Sequence, residues 1–189
     1  AKEADQKDNI GGGWHTDHSY DVEPAMGSVL VARVLPETGG DTFFASMYRA
    51  YDTLDDATRA EIDGLSAVHS AKHIFGSQEQ TYYNTTDAGG NRIGNAAAAD
   101  VLEDVVHPVV ITHPLSGKKA LYVNPAFTVG IAGRTDEASK VLLSKLFAHA
   151  MKPEHAYRFS WKPGSVAFWD NRSTWHWALN DYHGQRRIM

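Results

Sequence analysis

Apolar runs in this chain are short, rich in β-branched residues and closed by glycine or proline. That punctuation limits the fold more than any other feature. Runs of roughly four to eight such residues bury themselves as strands, and strands need a facing sheet or closure into a barrel. Residues 28–35 form the longest run, ended by Pro36 and followed by the turn Gly39-Gly40. Residues 42–45, 107–113, 119–124, 157–161 and 165–170 supply further strands. Turns fall between Pro114 and Gly117 and at Lys162-Pro163-Gly164.

Helices fit around these strands. Ser46 is placed to cap a helix over 47–54, and Asp55 or Asp56 to cap another through Ile62, with Gly64 as its stop. The strongest helical period lies at 136–151, where Val141, Leu142, Leu146 and Ala150 share a face. The expected fold class is mainly β with flanking helices, in one domain without internal repeats. Two segments are expected to be loose: the polar lead-in 1–9, and 77–104, a surface excursion read as a lid or disordered insertion.

Composition narrows the chemistry. The 189 residues suffice for a sizeable core. Lys and Arg number 18 against 23 Asp and Glu, a net charge of −5, which argues against a nucleic-acid partner while allowing a local cationic pocket. With no cysteine, disulfides, thiolate metal sites and a cysteine nucleophile are excluded, so any metal is held by nitrogen and oxygen. No apolar run approaches the roughly 20 residues that span a bilayer. No membrane partner is therefore expected, and a cytoplasmic location is the default. Self-association is left open. The chain lacks an initiating Met and both ends look cut.

In an extended Trp14-His15-Thr16-Asp17, His15 and Asp17 point to one side and can chelate one cation. A second histidine would complete a triad that leaves adjacent metal positions open for a co-substrate and O2. The pattern His-x-Asp alone is common and weak, and nine other histidines compete for the third place. His176 stands out by its setting. It follows the apolar stretch Val166 to Trp169 and precedes Arg186-Arg187, cations suited to a dicarboxylate.

Trp14-His15-Thr16-Asp17, Gly39-Gly40-Asp41-Thr42, Trp169 through Tyr182 and Gln185 through Met189 stand in the order of one known family's signatures. From residue 10 onward the chain resembles the taurine dioxygenase and 2,4-dichlorophenoxyacetate dioxygenase family of Fe(II)- and 2-oxoglutarate-dependent enzymes. That resemblance implies a double-stranded β-helix, or jelly roll, with His15, Asp17 and His176 as ligands of Fe(II). It implies that Thr42 and Arg187, rather than Arg186, bind the distal carboxylate of 2-oxoglutarate, with O2 as second co-substrate.

It also implies further chain before and after these residues, so the expected domain lacks an N-terminal part and at least one final strand. Phe75 and Phe127 match aromatic positions near the family's substrate, and His18 follows the ligand Asp. The expected substrate is a small organic anion, a sulfonate or sulfate ester ahead of an aryloxyalkanoate, hydroxylated with loss of a C–S or C–O bond. Outside this class stand a Zn-dependent hydrolase using the same three ligands and a non-catalytic jelly-roll binding module.

Overall fold

The computed structural model describes residues 2–7, 11–75 and 103–189. Ten short strands and four helices alternate along it. The strands are β1 (Gly27–Val31), β2 (Thr42–Ser46), β3 (Ser66–His69), β4 (Val105–Pro108), β5 (Val110–Thr112), β6 (Lys119–Leu121), β7 (Thr128–Ile131), β8 (Ala156–Phe159), β9 (Val166–Asp170) and β10 (Thr174–Ala178). The helices are α1 (Met47–Asp52), α2 (Asp56–Ile62), α3 (Lys72–Phe75) and α4 (Asp136–Ala150). The chain is mainly β with helices packed outside, as its punctuation requires.

All named strand pairs are antiparallel, and early strands pair with late ones. β1 pairs β9, while β2 lies between β8 and β10. β3 lies between β4 and β7, and β5 pairs β6. Ala45, Trp175, Leu121 and Ile131 are contributed to the core by the strands, and Val109 by the corner between β4 and β5. Met47, Ala50 and Ile62 from α1 and α2 join Leu142, Leu143 and Leu146 of α4 against them.

The expected caps are present. Ser46 Oγ accepts from Arg49 N at 3.3 Å, and Asp55 Oδ1 accepts from Thr58 N at 2.7 Å. Thr135 caps α4 through Ala138 N. The buried face of α4 is Ser139, Leu142, Leu143, Leu146 and Ala150, whereas Val141 is exposed. The apolar face is thus turned one residue from the expected one, because Ser139 faces inward to accept a hydrogen bond from Ile131 N.

Other differences come from non-local pairing. The run 28–35 stops being a strand after Val31, where Arg33 and Val34 leave β9 and donate to Ile188 O. Residues 107–113 divide at Val109, whose N–H bonds to Leu65 O and whose carbonyl accepts from Tyr122 N. That corner passes the chain from β3 as neighbour to β6. β3, α3, β7 and β10 carry no period long enough to read. The lead-in was expected to be mobile, yet Lys2 exchanges two backbone hydrogen bonds with Arg187, at 2.8 and 2.9 Å. A single antiparallel bridge needs no apolar pattern, so nothing in the composition signals it. Of the excursion 77–104, residues 77–102 lie outside the described residues, and Glu103 and Asp104 are exposed.

Candidate active site

His15 and His176 are neighbours across a backbone bridge that extends the sheet beyond β10. His176 N donates to His15 O at 2.8 Å and His15 N to His176 O at 3.1 Å. Their rings lie 4.0 Å apart between centroids. Thr16 turns the other way and donates to Asn171 O at 2.6 Å, leaving His15 and Asp17 on one side. Asp17 Oδ1 then stands 3.5 Å from His15 Nε2 and 3.7 Å from His176 Nε2. Ligand atoms of the three side chains all lie within 4.8 Å of one another, the only such group among the described residues.

Surrounding groups fix which atoms face the centre. His15 Nδ1–H donates to Gly13 O at 2.8 Å, so its Nε2 keeps a free lone pair. Ser28 Oγ donates to Asp17 Oδ2 at 2.6 Å, and Asn171 Nδ2 donates to Ser28 Oγ at 3.1 Å. Oδ2 is thereby occupied and Oδ1 is left for a cation. Gly11 closes the approach: at φ 76°, a Cβ there would stand 3.0 Å from His15 Cε1.

Charge states suit metal binding. Burial raises the Asp17 pKa, but the nearby His15 and His176 imidazoles and the Ser28 hydroxyl outweigh it and hold the carboxyl below the ordinary carboxylate range. Burial, then the charge of His15, push the His176 imidazole down to about 3. Near neutrality the trio offers one carboxylate and neutral His176, a nitrogen–oxygen donor set suited to a divalent transition metal.

A cavity of about 340 Å³ opens from this trio, lined also by Thr42, Trp169, Tyr182 and Arg187. Arg187 is only 7% exposed, and its Nε and Nη2 are buried without hydrogen-bond partners. Its guanidinium carbon lies 5.8 Å from the ring centroid of Trp161 and 5.9 Å from that of Tyr182. Trp161 Nε1 donates to Thr42 Oγ1 at 3.0 Å, which leaves the Thr42 hydroxyl hydrogen free to donate. At Gly40, φ 75°, a Cβ would sit 3.2 Å from Arg187 Cδ. A buried guanidinium with unmet donors is costly unless an anion completes it. The second arginine of the pair, Arg186, is directed outward to Glu3 at 2.9 Å.

The other expected residues are Phe127, His18 and Phe75. Phe127 is buried and lies steeply inclined to the His15 ring, with centroids 6.5 Å apart. His18 is exposed at φ 60° and bonded to Asp21 at 2.7 Å, and it does not line the cavity. The side chain of Phe75 lies outside the described residues. Sequence reasoning missed Ser28, Trp161, Trp169, Tyr182 and Lys2. Only Ser28 carried a signal, as a polar residue opening an apolar run.

An antiparallel β fold that brings two histidines and one carboxylate into one cavity with a buried arginine has the arrangement of a two-histidine, one-carboxylate metal site. The family model for the taurine catabolism dioxygenase TauD, TfdA family matches residues 1–189, and the chain belongs to that family. An alkylsulfatase of Acinetobacter baylyi is 36% identical over 185 residues, covering 97% of this chain and 56% of the relative. An alpha-ketoglutarate-dependent 2,4-dichlorophenoxyacetate dioxygenase of a Burkholderia species is 35% identical, covering 92% and 56%. The crystal structure of AAD-2 with Mn(II) and N-oxalylglycine is similar with a TM-score of 0.78 and 36% identity, over 94% of this chain and 66% of that one. The chain spans a little over half the length of these curated relatives. Among the described residues no helix is long and apolar enough to cross a membrane.

Proposed function

We propose that this chain is the catalytic part of an Fe(II)- and 2-oxoglutarate-dependent dioxygenase that hydroxylates a small organic anion. One observation carries the reading: a single cavity holds both the His15, Asp17 and His176 trio and the unpaired Arg187 beside Thr42. His15, Asp17 and His176 would hold the iron through Nε2, Oδ1 and Nε2. Arg187 would grip the distal carboxylate of 2-oxoglutarate through two N–H groups, with Thr42 adding a third donor. The aromatic walls Trp161 and Tyr182 keep that guanidinium in place and exclude water from it. When bound, iron and 2-oxoglutarate supply O2 activation coupled to decarboxylation, giving succinate and CO2. Hydroxylation of the substrate carbon beside a heteroatom then releases the sulfur or oxygen group.

A sulfate ester or sulfonate is the favoured substrate class, supported by the likeness to the alkylsulfatase. An aryloxyalkanoate is the second reading, supported by the 2,4-dichlorophenoxyacetate relative. A Zn-dependent hydrolase with the same ligands leaves Arg187 and Thr42 without a task. The test is succinate formation from 2-oxoglutarate in the presence of alkyl sulfates, sulfonates and aryloxyalkanoates. Iron-dependent stimulation by an alkyl sulfate or sulfonate, abolished in Asp17→Ala, is the expected result. Substrate turnover with zinc and without 2-oxoglutarate would overturn the proposal.

A further inference from the structure

The cavity has a second buried cation that no part of the reading above employs. Lys2 is 2% exposed and lines the same cavity as Arg187. The two residues face each other across the backbone bridge, so their side chains leave it on the same side. Alternation confirms the sense. Their neighbours Glu3 and Arg186 point outward and pair with each other, while Lys2 and Arg187 point inward. Both inward cations flank the ring of Tyr182: Lys2 Nζ is 4.5 Å and Arg187 Cζ 5.9 Å from its centroid.

The partners of Lys2 are all uncharged. Its ammonium donates to Asn180 Oδ1 and, at 3.4 Å, to Lys7 O, and otherwise meets the Tyr182 ring. An ammonium has three donors, so one remains. Among the described residues no carboxylate forms an ion pair with Lys2 or with Arg187. Two buried positive charges stand beside one ring, neither of them in an ion pair; Asp41 and Asp181 act on Arg187 only from a distance, which leaves room for negative charge from a ligand. Arg187 alone matches one carboxylate in a bidentate fork. Lys2 adds a point charge on the same side.

We infer that Lys2 is a specificity-determining residue for the co-substrate, favouring a 2-oxo dicarboxylate over a 2-oxo monocarboxylate by its charge at the distal carboxylate. This rests on the reading of the cavity as a 2-oxoglutarate site. The alternative role, a latch that merely holds the lead-in against Asn180, makes a different prediction. A latch affects every ligand of the cavity alike, whereas a charge affects only the ligand that carries the distal carboxylate.

Calorimetric binding of 2-oxoglutarate and of 2-oxopentanoate to the Mn(II)-loaded protein separates these roles. The two ligands share the 2-oxo acid end and differ at the distal carboxylate. Lys2→Met is expected to weaken 2-oxoglutarate binding by about tenfold or more, as loss of a hydrogen bond to a charged partner does. Binding of 2-oxopentanoate should stay within about twofold, and Lys2→Arg should restore most of the difference. Equal loss for both ligands, or no loss in either, overturns the assignment of Lys2. A wild-type protein that fails to bind 2-oxoglutarate at all overturns the underlying reading instead, and the inference with it. Thermal unfolding of both variants, with Lys2→Arg as the folded comparison, shows whether the fold itself has been disturbed.

Discussion

Ser28→Ala isolates the contribution of a residue that acts through Asp17. In the native site its hydroxyl donates to Asp17 Oδ2 at 2.6 Å, within the range of charge-assisted O–H···O⁻ bonds. Such bonds contribute about 1.5–3 kcal/mol. Removing groups that orient a metal ligand lowers affinity by about 10–100-fold, which is about 1.4–2.7 kcal/mol, and the two ranges agree. Loss of ionisation cannot account for the effect. Even if the Asp17 pKa returned fully to 3.8, less than about 0.1% of the carboxyl would be protonated at pH 7. The expected loss is therefore one of orientation, because Oδ2 becomes free to rotate away and Asn171 Nδ2 keeps only Ala25 O as acceptor. Anaerobic Fe(II) titration by calorimetry should show affinity reduced about 10–100-fold at pH 7, with Ser28→Thr near wild type. A change under about threefold, or an equal loss in Ser28→Thr, would refute the orientation argument.

Three further outcomes follow from the geometry. Arg187→Met should weaken 2-oxoglutarate binding by about 30-fold or more, since breaking a buried charged contact costs about 2–5 kcal/mol, while the exposed Arg186→Met stays within about threefold; fluorescence titration checks both. Thr42→Val should act in the same direction by about two- to tenfold, the effect of one neutral hydrogen bond, read from the same titration. Acid should destabilise the metal-free protein through His69 and His176, whose pKa values are both held down at about 3 by burial above all. Because folding lowers these values, the unfolded chain takes up protons first, so stability is present above pH 6.5 and is lost as pH falls from 6.5 towards 3. His69→Gln should reduce the slope of urea-unfolding stability against pH in that window by about 1.4 kcal/mol per pH unit; an unchanged slope would contradict the buried neutral imidazole.

The residues legible in the sequence were those whose signal is local. A two-residue alternation places His15 beside Asp17, and caps at Ser46 and Asp55 need only the next turn of chain. The proposed third ligand, His176, was legible through its setting and through the family resemblance. What brings it to His15 is a backbone bridge between residues far apart in the chain, and no periodicity records such a pairing. The same limit explains β3 and β7, four residues each, which gain their hydrogen bonds from one another and from β4. The Arg187 end of the cavity was half legible. Arg187 was visible as a cation after His176 and through the family resemblance, but the features that hold it in the cavity are Trp161, Tyr182 and Gly40, each from a different loop or strand end. A tryptophan or tyrosine is read from sequence as core, and the structure uses these two to hold a charge. Lys2 shows the limit most sharply. In a polar lead-in a lysine is expected to face solvent, because a buried ammonium is unfavourable without compensation. The compensation comes from Asn180, Tyr182 and the bridge to Arg187, all at the far end of the chain. Burial of that charge is therefore a property of the closed fold, set by contacts that join the two ends of the described chain.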